Sequence, residues 1–386
     1  MAGALAGVRV VELTSYVSGP YAGMLLADFG AAVVKIEQPP DGDPFRSWGS
    51  SGDNPFFMSV NRNKKSVVLD LKDPQGLAQA RALIERADVL VENFRSGALD
   101  RLGLGYEALR QANPRLIYCS ITGFGDHGPY AQKPGYDTVG QAMGGLLSLL
   151  TDMNDPKPMG ISLSDHLAGM VACNGILAAL YAREKTGVGQ KVDTSLLEST
   201  VSFVGENATQ FFETGKAPSR ATRTHSALVF AFVDCDARPF AIHLSSPPKF
   251  WDGLLRAVER PEWRDDPRFR DRRSRGVNYD ALHADLAAIF RGNTRAHWLR
   301  LLEAEDVPAC AINDLAEVFS DPQVKALGMA VRLPHPRRGH VDLVRNGVRL
   351  SQTPTAIHSP SPALGEHNTE LLGPSSTGLQ RKQDRK

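Results

Sequence analysis

Short β-branched runs alternate with helix-compatible stretches through the first part of this chain, and nothing else in it narrows the possible folds so much. Residues 8–13 (VRVVEL), 32–37 (AVVKIE), 67–71 (VVLDL), 88–94 (DVLVENF) and 116–122 (LIYCSIT) read as strands. Between the first two, Gly19-Pro20 opens a helix that runs to Gly30, because proline suits a first helical turn. Asp73-Pro74 starts another between the third and fourth. Strands alternating with helices predict an α/β fold whose sheet is mostly parallel and covered on both faces.

From Asp137 the pattern turns helical. Residues 165–184 form the strongest predicted helix, with Leu167, Met170, Val171, Ile176, Leu177 and Leu180 as its apolar stripe and Gly187 as a left-handed cap. A short strand at 192–196 and a helix over 197–214 follow. Residues 216–225 read as a linker. Beyond it, a hairpin (228–233 and 239–244) and a charged helical region anchored by Trp251, Trp263, Phe269 and Trp298 predict a smaller α+β domain over 226–325. Strands are expected near 330–333 and 341–344, and a disordered polar tail over 375–386.

Charge and cysteine content bound the function. A formal net charge of +1 over 386 residues offers no global field for nucleic acid or a membrane surface, so neither is an expected partner. The first residues carry no basic, apolar leader pattern, and the strongest apolar run, 170–181, is too short to span a bilayer. Cys119, Cys173, Cys235 and Cys310 form no CxxC pair, so a reduced, cytoplasmic protein is expected.

The opening βαβ invites a dinucleotide reading, but the turn SYVSGP (15–20) has one glycine where the fingerprint needs three, and a proline where a phosphate wants an N–H. The basic stretch NRNKKS (61–66) either meets phosphates or is a solvated strand entry. Asp165, in GISLSDH (160–166) just before the strongest helix, reads as an N-cap. A carboxylate there sits at the positive end of the helix dipole, so it is expected to stay ionised and to be a competent nucleophile toward a thioester. The adjacent N–H groups could steady an oxyanion. No GxSxG elbow and no HExxH pair is present, so hydrolase and zinc-protease readings find no support.

Several strings, in order, resemble class III CoA-transferases, the formyl-CoA and carnitine CoA-transferase family. They are GPYA (19–22), LADFGA (26–31), VKIE (34–37), NRNKKS (61–66), VENF (91–94) with Gly97 and Leu102-Gly103, and SITGFG (120–125). PGYD (134–137) with Gln141, TGVGQKVD (186–193), PEW (261–263), Val307-Pro308, Asp321-Pro322 and LGEH (364–367) continue the match. The resemblance implies a Rossmann-like large domain built from both chain ends, 1–215 completed by 326–374, with the small domain inserted, and two subunits interlocked as a homodimer.

Residue by residue, the resemblance implies Asp165 as the catalytic aspartate, and Leu71, Lys72, Asn93, Phe94 and Arg101 as positions lining the coenzyme A site. Tyr136 and Asp137 fall in the family's active-site tyrosine segment. Val17 falls where formyl-CoA transferase has a glutamine, which argues against oxalate or formate chemistry. No glycine-rich tetrad stands in 215–260. The reaction implied transfers coenzyme A from an acyl-CoA, possibly succinyl-CoA, to a small carboxylic acid, with no metal and no redox cofactor; coenzyme A and acyl-CoA bind as substrates. Arg46, Arg220 and Arg223 are candidates for a second carboxylate on that acid. The alternatives are a 2-methylacyl-CoA racemase, whose histidine is replaced by Tyr136, and a non-catalytic acyl-CoA binder.

Overall fold

The computed structural model describes residues 2–48, 54–245 and 247–373, so the tail expected to be disordered lies outside the described residues. The chain divides into two compact units: residues 1–147, 158–206 and 327–386, and residues 148–157 with 207–326.

The first unit is built on six parallel strands: β1 (Arg9–Leu13), β2 (Ala32–Glu37), β3 (Lys64–Val68), β4 (Val89–Glu92), β5 (Ile117–Thr122) and β6 (Lys191–Ser195). Their spatial order is β3-β2-β1-β4-β5-β6. Alternating strand residues supply its two cores. Val10, Val89, Val91, Ile117 and Cys119 face one side, with Leu26 of the Ser18–Asp28 helix and Ala172 and Ile176 of the Leu163–Thr186 helix. Val11, Leu13, Leu90 and Tyr118 face the other, with Ala80 and Ile84 of the Pro74–Glu85 helix. A parallel sheet buried on both faces needs such unbroken apolar runs.

β3 starts earlier than expected, because the apolar run VVLDL is not its centre. Lys64 and Ser66 lie inside the strand, buried, since partners on neighbouring strands satisfy them. The Leu163–Thr186 helix is longer than expected, at 24 residues, and is long and apolar enough to cross a membrane; half of its most apolar stretch is buried within the protein. The helix expected over 197–214 is broken at Val204 into Leu196–Phe203 and Gly205–Thr214. After an antiparallel pair, β10 (Ala330–His335) with β11 (Gly339–Val344), the chain returns to the sheet edge. There the His367 and Asn368 side chains accept the N–H groups of Ser66 and Val68.

The second unit carries β7 (Val229–Val233), β8 (Pro239–His243) and β9 (Ala309–Ala311), antiparallel in the order β7-β8-β9. Trp251, Trp263, Phe269 and Trp298 join Phe230, Phe232, Phe240 and Phe290 in its core. The expected linker is not extended throughout: Arg220–Ala227 is helical, with a capping box at Ser219 and Thr222.

Candidate active site

The order of the sheet reverses direction between β1 and β4, and a crevice opens there at the carboxyl ends of the strands. Asn93, just after β4, ties the two loops together. Its side-chain oxygen accepts the Ser15 N–H at 2.9 Å, and its amide donates to the Ser15 carbonyl at 2.8 Å. The third element at this point is the 134–137 segment. Gly123, after β5, and Gly135 approach so closely that a Cβ on Gly123 would lie 2.8 Å from the Gly135 Cα, so neither position accommodates a side chain.

Asp165 stands in the first turn of the Leu163–Thr186 helix, but it is not the N-cap. The helix begins two residues earlier than the expected cap position, and Asp137 performs the capping from the start of a different helix. The Asp137 Oδ1 accepts the Ser164 N–H at 2.8 Å, the Asp165 N–H at 3.3 Å and the Ser164 hydroxyl at 3.0 Å. Its Oδ2 accepts the Gln141 amide at 2.5 Å. The N–H groups expected to steady an oxyanion are therefore engaged: those of Ser164 and Asp165 by Asp137, and that of His166 by the Ser162 carbonyl at 3.2 Å.

The Asp165 side chain itself is half-buried and, among the described residues, has no ion pair or hydrogen bond to its carboxylate. Burial, reinforced by the Asp137 carboxylate, pushes its pKa up to about 7. The expectation of a firmly ionised aspartate is thus overturned. The helix dipole is outweighed because desolvation and a like charge both disfavour the anion.

Asp165 lines a cavity of about 210 Å³ together with Asn93, Phe94 and Tyr136, so four of the expected positions meet there. Phe94 also lines a neighbouring cavity of about 720 Å³ with Leu71 and Lys72. Arg101 is exposed and borders neither. Asp137 lies behind the site, as the cap. Val17 does not face it either: it is buried against Phe45, Phe57 and Val60, and Tyr16 lines the cavity instead. Arg95 and Lys133 line the same cavity without an ion pair among the described residues, and neither was singled out by its pattern. Their only sequence signal is adjacency to VENF and PGYD.

The basic stretch is mostly buried, and its cations are paired within the protein. The Lys64 ammonium is fully buried and bonds both Glu12 oxygens at 2.9 Å. Arg62 pairs with Asp28 and Lys65 with Glu370. Arg46 is likewise engaged, donating twice to Glu37 at 2.7 Å, so it cannot serve a second carboxylate. Arg220 and Arg223 are exposed on a helix that begins in the second unit's portion of the chain.

A sequence model described as CoA-transferase family III matches residues 5–368. The succinate–glutarate CoA-transferase of Agrobacterium fabrum is 36% identical over 384 residues, covering 97% of this chain and 96% of that one. The acetyl-CoA:oxalate CoA-transferase of Acetobacter aceti is 38% identical over 372 residues, 95% and 94% of the two chains. The crystal structure of a CAIB/BAIF family protein from Brucella suis matches with a TM-score of 0.85 at 35% identity, over 96% of this chain and 99% of that one.

Proposed function

The chain belongs to CoA-transferase family III, and on that premise we propose that it moves coenzyme A from an acyl-CoA to a free dicarboxylic acid, with Asp165 as the covalent nucleophile. The observation that carries this reading is the Asp165 carboxylate: half-buried, unpaired among the described residues, and facing a small cavity beside a larger one. A carboxylate with a raised pKa and no ion pair is, once ionised, more nucleophilic than an ordinary surface aspartate.

In the first step an Asp165 oxygen bonds the thioester carbonyl carbon and the carbon–sulfur bond breaks. This leaves a mixed anhydride and a coenzyme A thiolate. The thiolate attacks the aspartyl carbonyl and expels the donor acid as its carboxylate, giving an aspartyl–coenzyme A thioester. The acceptor carboxylate attacks that thioester and releases the thiolate. The thiolate then attacks the acceptor carbonyl, and the new acyl-CoA leaves with Asp165 restored. Every intermediate is an activated acyl group, so little energy is lost between steps.

The larger cavity, with Leu71, Lys72 and Phe94, suits the body of coenzyme A, and the smaller one its acyl end. Dicarboxylates fit because Arg95 and Lys133, neither in an ion pair among the described residues, line the cavity that holds Asp165, and the relatives named above carry glutarate and oxalate in their names. The second reading, racemisation, lacks a partner base: among the described residues no histidine lines the cavity with Asp165. His166 turns away, its Nδ1 lying 2.6 Å from the Ser162 carbonyl and its ring packed on Tyr21. The subunit is further read as half of an interlocked homodimer.

The test is chemical trapping. Enzyme incubated with succinyl-CoA and then hydroxylamine should carry a hydroxamate on the peptide containing Asp165, and borohydride should reduce the same thioester to an alcohol. Transfer of coenzyme A to a dicarboxylic acid with no label at Asp165 would remove the nucleophile from the proposal. Exchange of the α-proton of a 2-methylacyl-CoA in deuterated water, without any acid acceptor, would favour the racemase.

A further inference from the structure

Tyr16 stands in a backbone conformation that an aromatic residue rarely adopts. Its φ is +63°, in the left-handed region where a bulky side chain is an outlier. Such a conformation persists only where its surroundings over-determine it, and here they do. The Tyr16 N–H donates to the Asp43 Oδ1 at 3.1 Å, and the other Asp43 oxygen sits 2.9 Å from the fully buried Lys35 ammonium. On the other side, the peptide groups of Ser15 are clamped by the Asn93 side chain. Residues from β2, from the loop after β2 and from the end of β4 thus converge on one peptide.

The consequence is where the ring goes. Val17 turns into the apolar cluster behind the loop, and Tyr16 turns out into the cavity that holds Asp165. Its ring meets Tyr136 edge-on, with centroids 6.2 Å apart and planes at 89°, and leans on Phe45 at 6.2 Å. It is 37% exposed and lines the cavity. We propose that Tyr16 is the residue that sets which acyl chains fit against Asp165, its ring forming a wall of the acyl cavity in this chain. The proposal rests on the transferase reading above and deepens it. One methylene more or less in an apolar pocket changes selection between homologous substrates by about 10- to 200-fold.

The test compares acceptors of rising length, malonate, glutarate and adipate, with succinyl-CoA as donor, through the ratio of kcat/KM for adipate to that for malonate. Tyr16→Gly removes the wall and accepts the positive φ without strain. Tyr16→Asn is a second truncation that tolerates the same conformation, should the glycine variant fail to fold. Both should raise the adipate-to-malonate ratio by about tenfold or more, whereas Tyr16→Phe, which keeps the ring, should keep the wild-type ratio. A wild-type ratio in both truncations overturns the proposal, because a purely structural role would lower all acceptors together. A ratio that moves in Tyr16→Phe as far as in the truncations overturns it too, by assigning selection to the hydroxyl. Absence of transfer to any acid by the wild-type enzyme is a different result: it sinks the transferase reading itself, and this inference with it.

Discussion

At Asp165 the fold disfavours the ionisation that the proposed chemistry needs. Burial first, and the Asp137 carboxylate second, raise its pKa to about 7. Attack on a thioester requires the anion, so kcat/KM should climb as pH rises through about 7 and then level off, reporting the free enzyme. A profile flat from pH 5 to pH 9, measured with saturating acceptor, would show that this carboxylate is not the titrating nucleophile. The linkage to stability has the opposite sign. The folded pKa lies above that of the unfolded chain, so the fold binds the proton more tightly, and stability falls as pH rises from the ordinary carboxylate range toward 7. Asp165→Asn, uncharged and nearly isosteric, should therefore raise the melting temperature at pH 8 while lowering turnover by several orders of magnitude. A variant that loses stability instead would return Asp165 to a structural role.

Helix termini and strand pairings set that environment. Asp137 caps the Leu163–Thr186 helix from outside it. Asp137→Asn keeps an acceptor oxygen but removes the charge beside Asp165. It should move the midpoint of the pH–rate profile downward, though not all the way to an ordinary aspartate, since burial is the larger cause. Asp137→Ala also uncaps the helix and should cost about 1–2 kcal/mol in denaturant melts. β3 depends on a comparable arrangement. Lys64→Met would leave the Glu12 carboxylate, buried in β1, with Lys35 at 3.3 Å as its one cation among the described residues. Breaking a buried pair from one side should destabilise by about 3 kcal/mol or more, readable in the same melts. A loss under about 1 kcal/mol would mean that Lys35 alone neutralises the site.

The whole molecule adds a test of assembly. The first unit carries an apolar trough of about 670 Å³ lined by Met24, Met58, Met170, Leu177, Val341 and Val344. Apolar surface of this kind marks a partner's place, and a second copy of the chain is the occupant that the proposed interlocked dimer would supply. Interlocked subunits cannot separate without unfolding. Sedimentation should give a particle near twice 41.9 kDa at every dilution. A monomer appearing as the concentration falls would show that the subunits do not thread each other.

The amino-acid order alone located the strands of the parallel sheet to within a few residues, β3 being displaced toward its N-terminal side. Periodicity is local, and 32–37 and 88–94 each contain the strand later observed, Ala32–Glu37 and Val89–Glu92. It also marked Asp165, by its place at the start of the strongest helix, and Asn93, Phe94 and Tyr136, which family strings carry, and the structure brings those four to one cavity. What the order left open is set by contacts between positions far apart in the chain. Whether Lys64 meets solvent or Glu12, and whether Asp165 or Asp137 caps the helix, depends on which strand or helix arrives opposite. The exchange of Val17 for Tyr16 at the cavity turns on the sign of one φ, which Asp43 and Asn93 hold in place from elsewhere in the fold. The tertiary structure decided the raised pKa of Asp165 as well, because desolvation depends on what surrounds a carboxylate and no residue type carries that information.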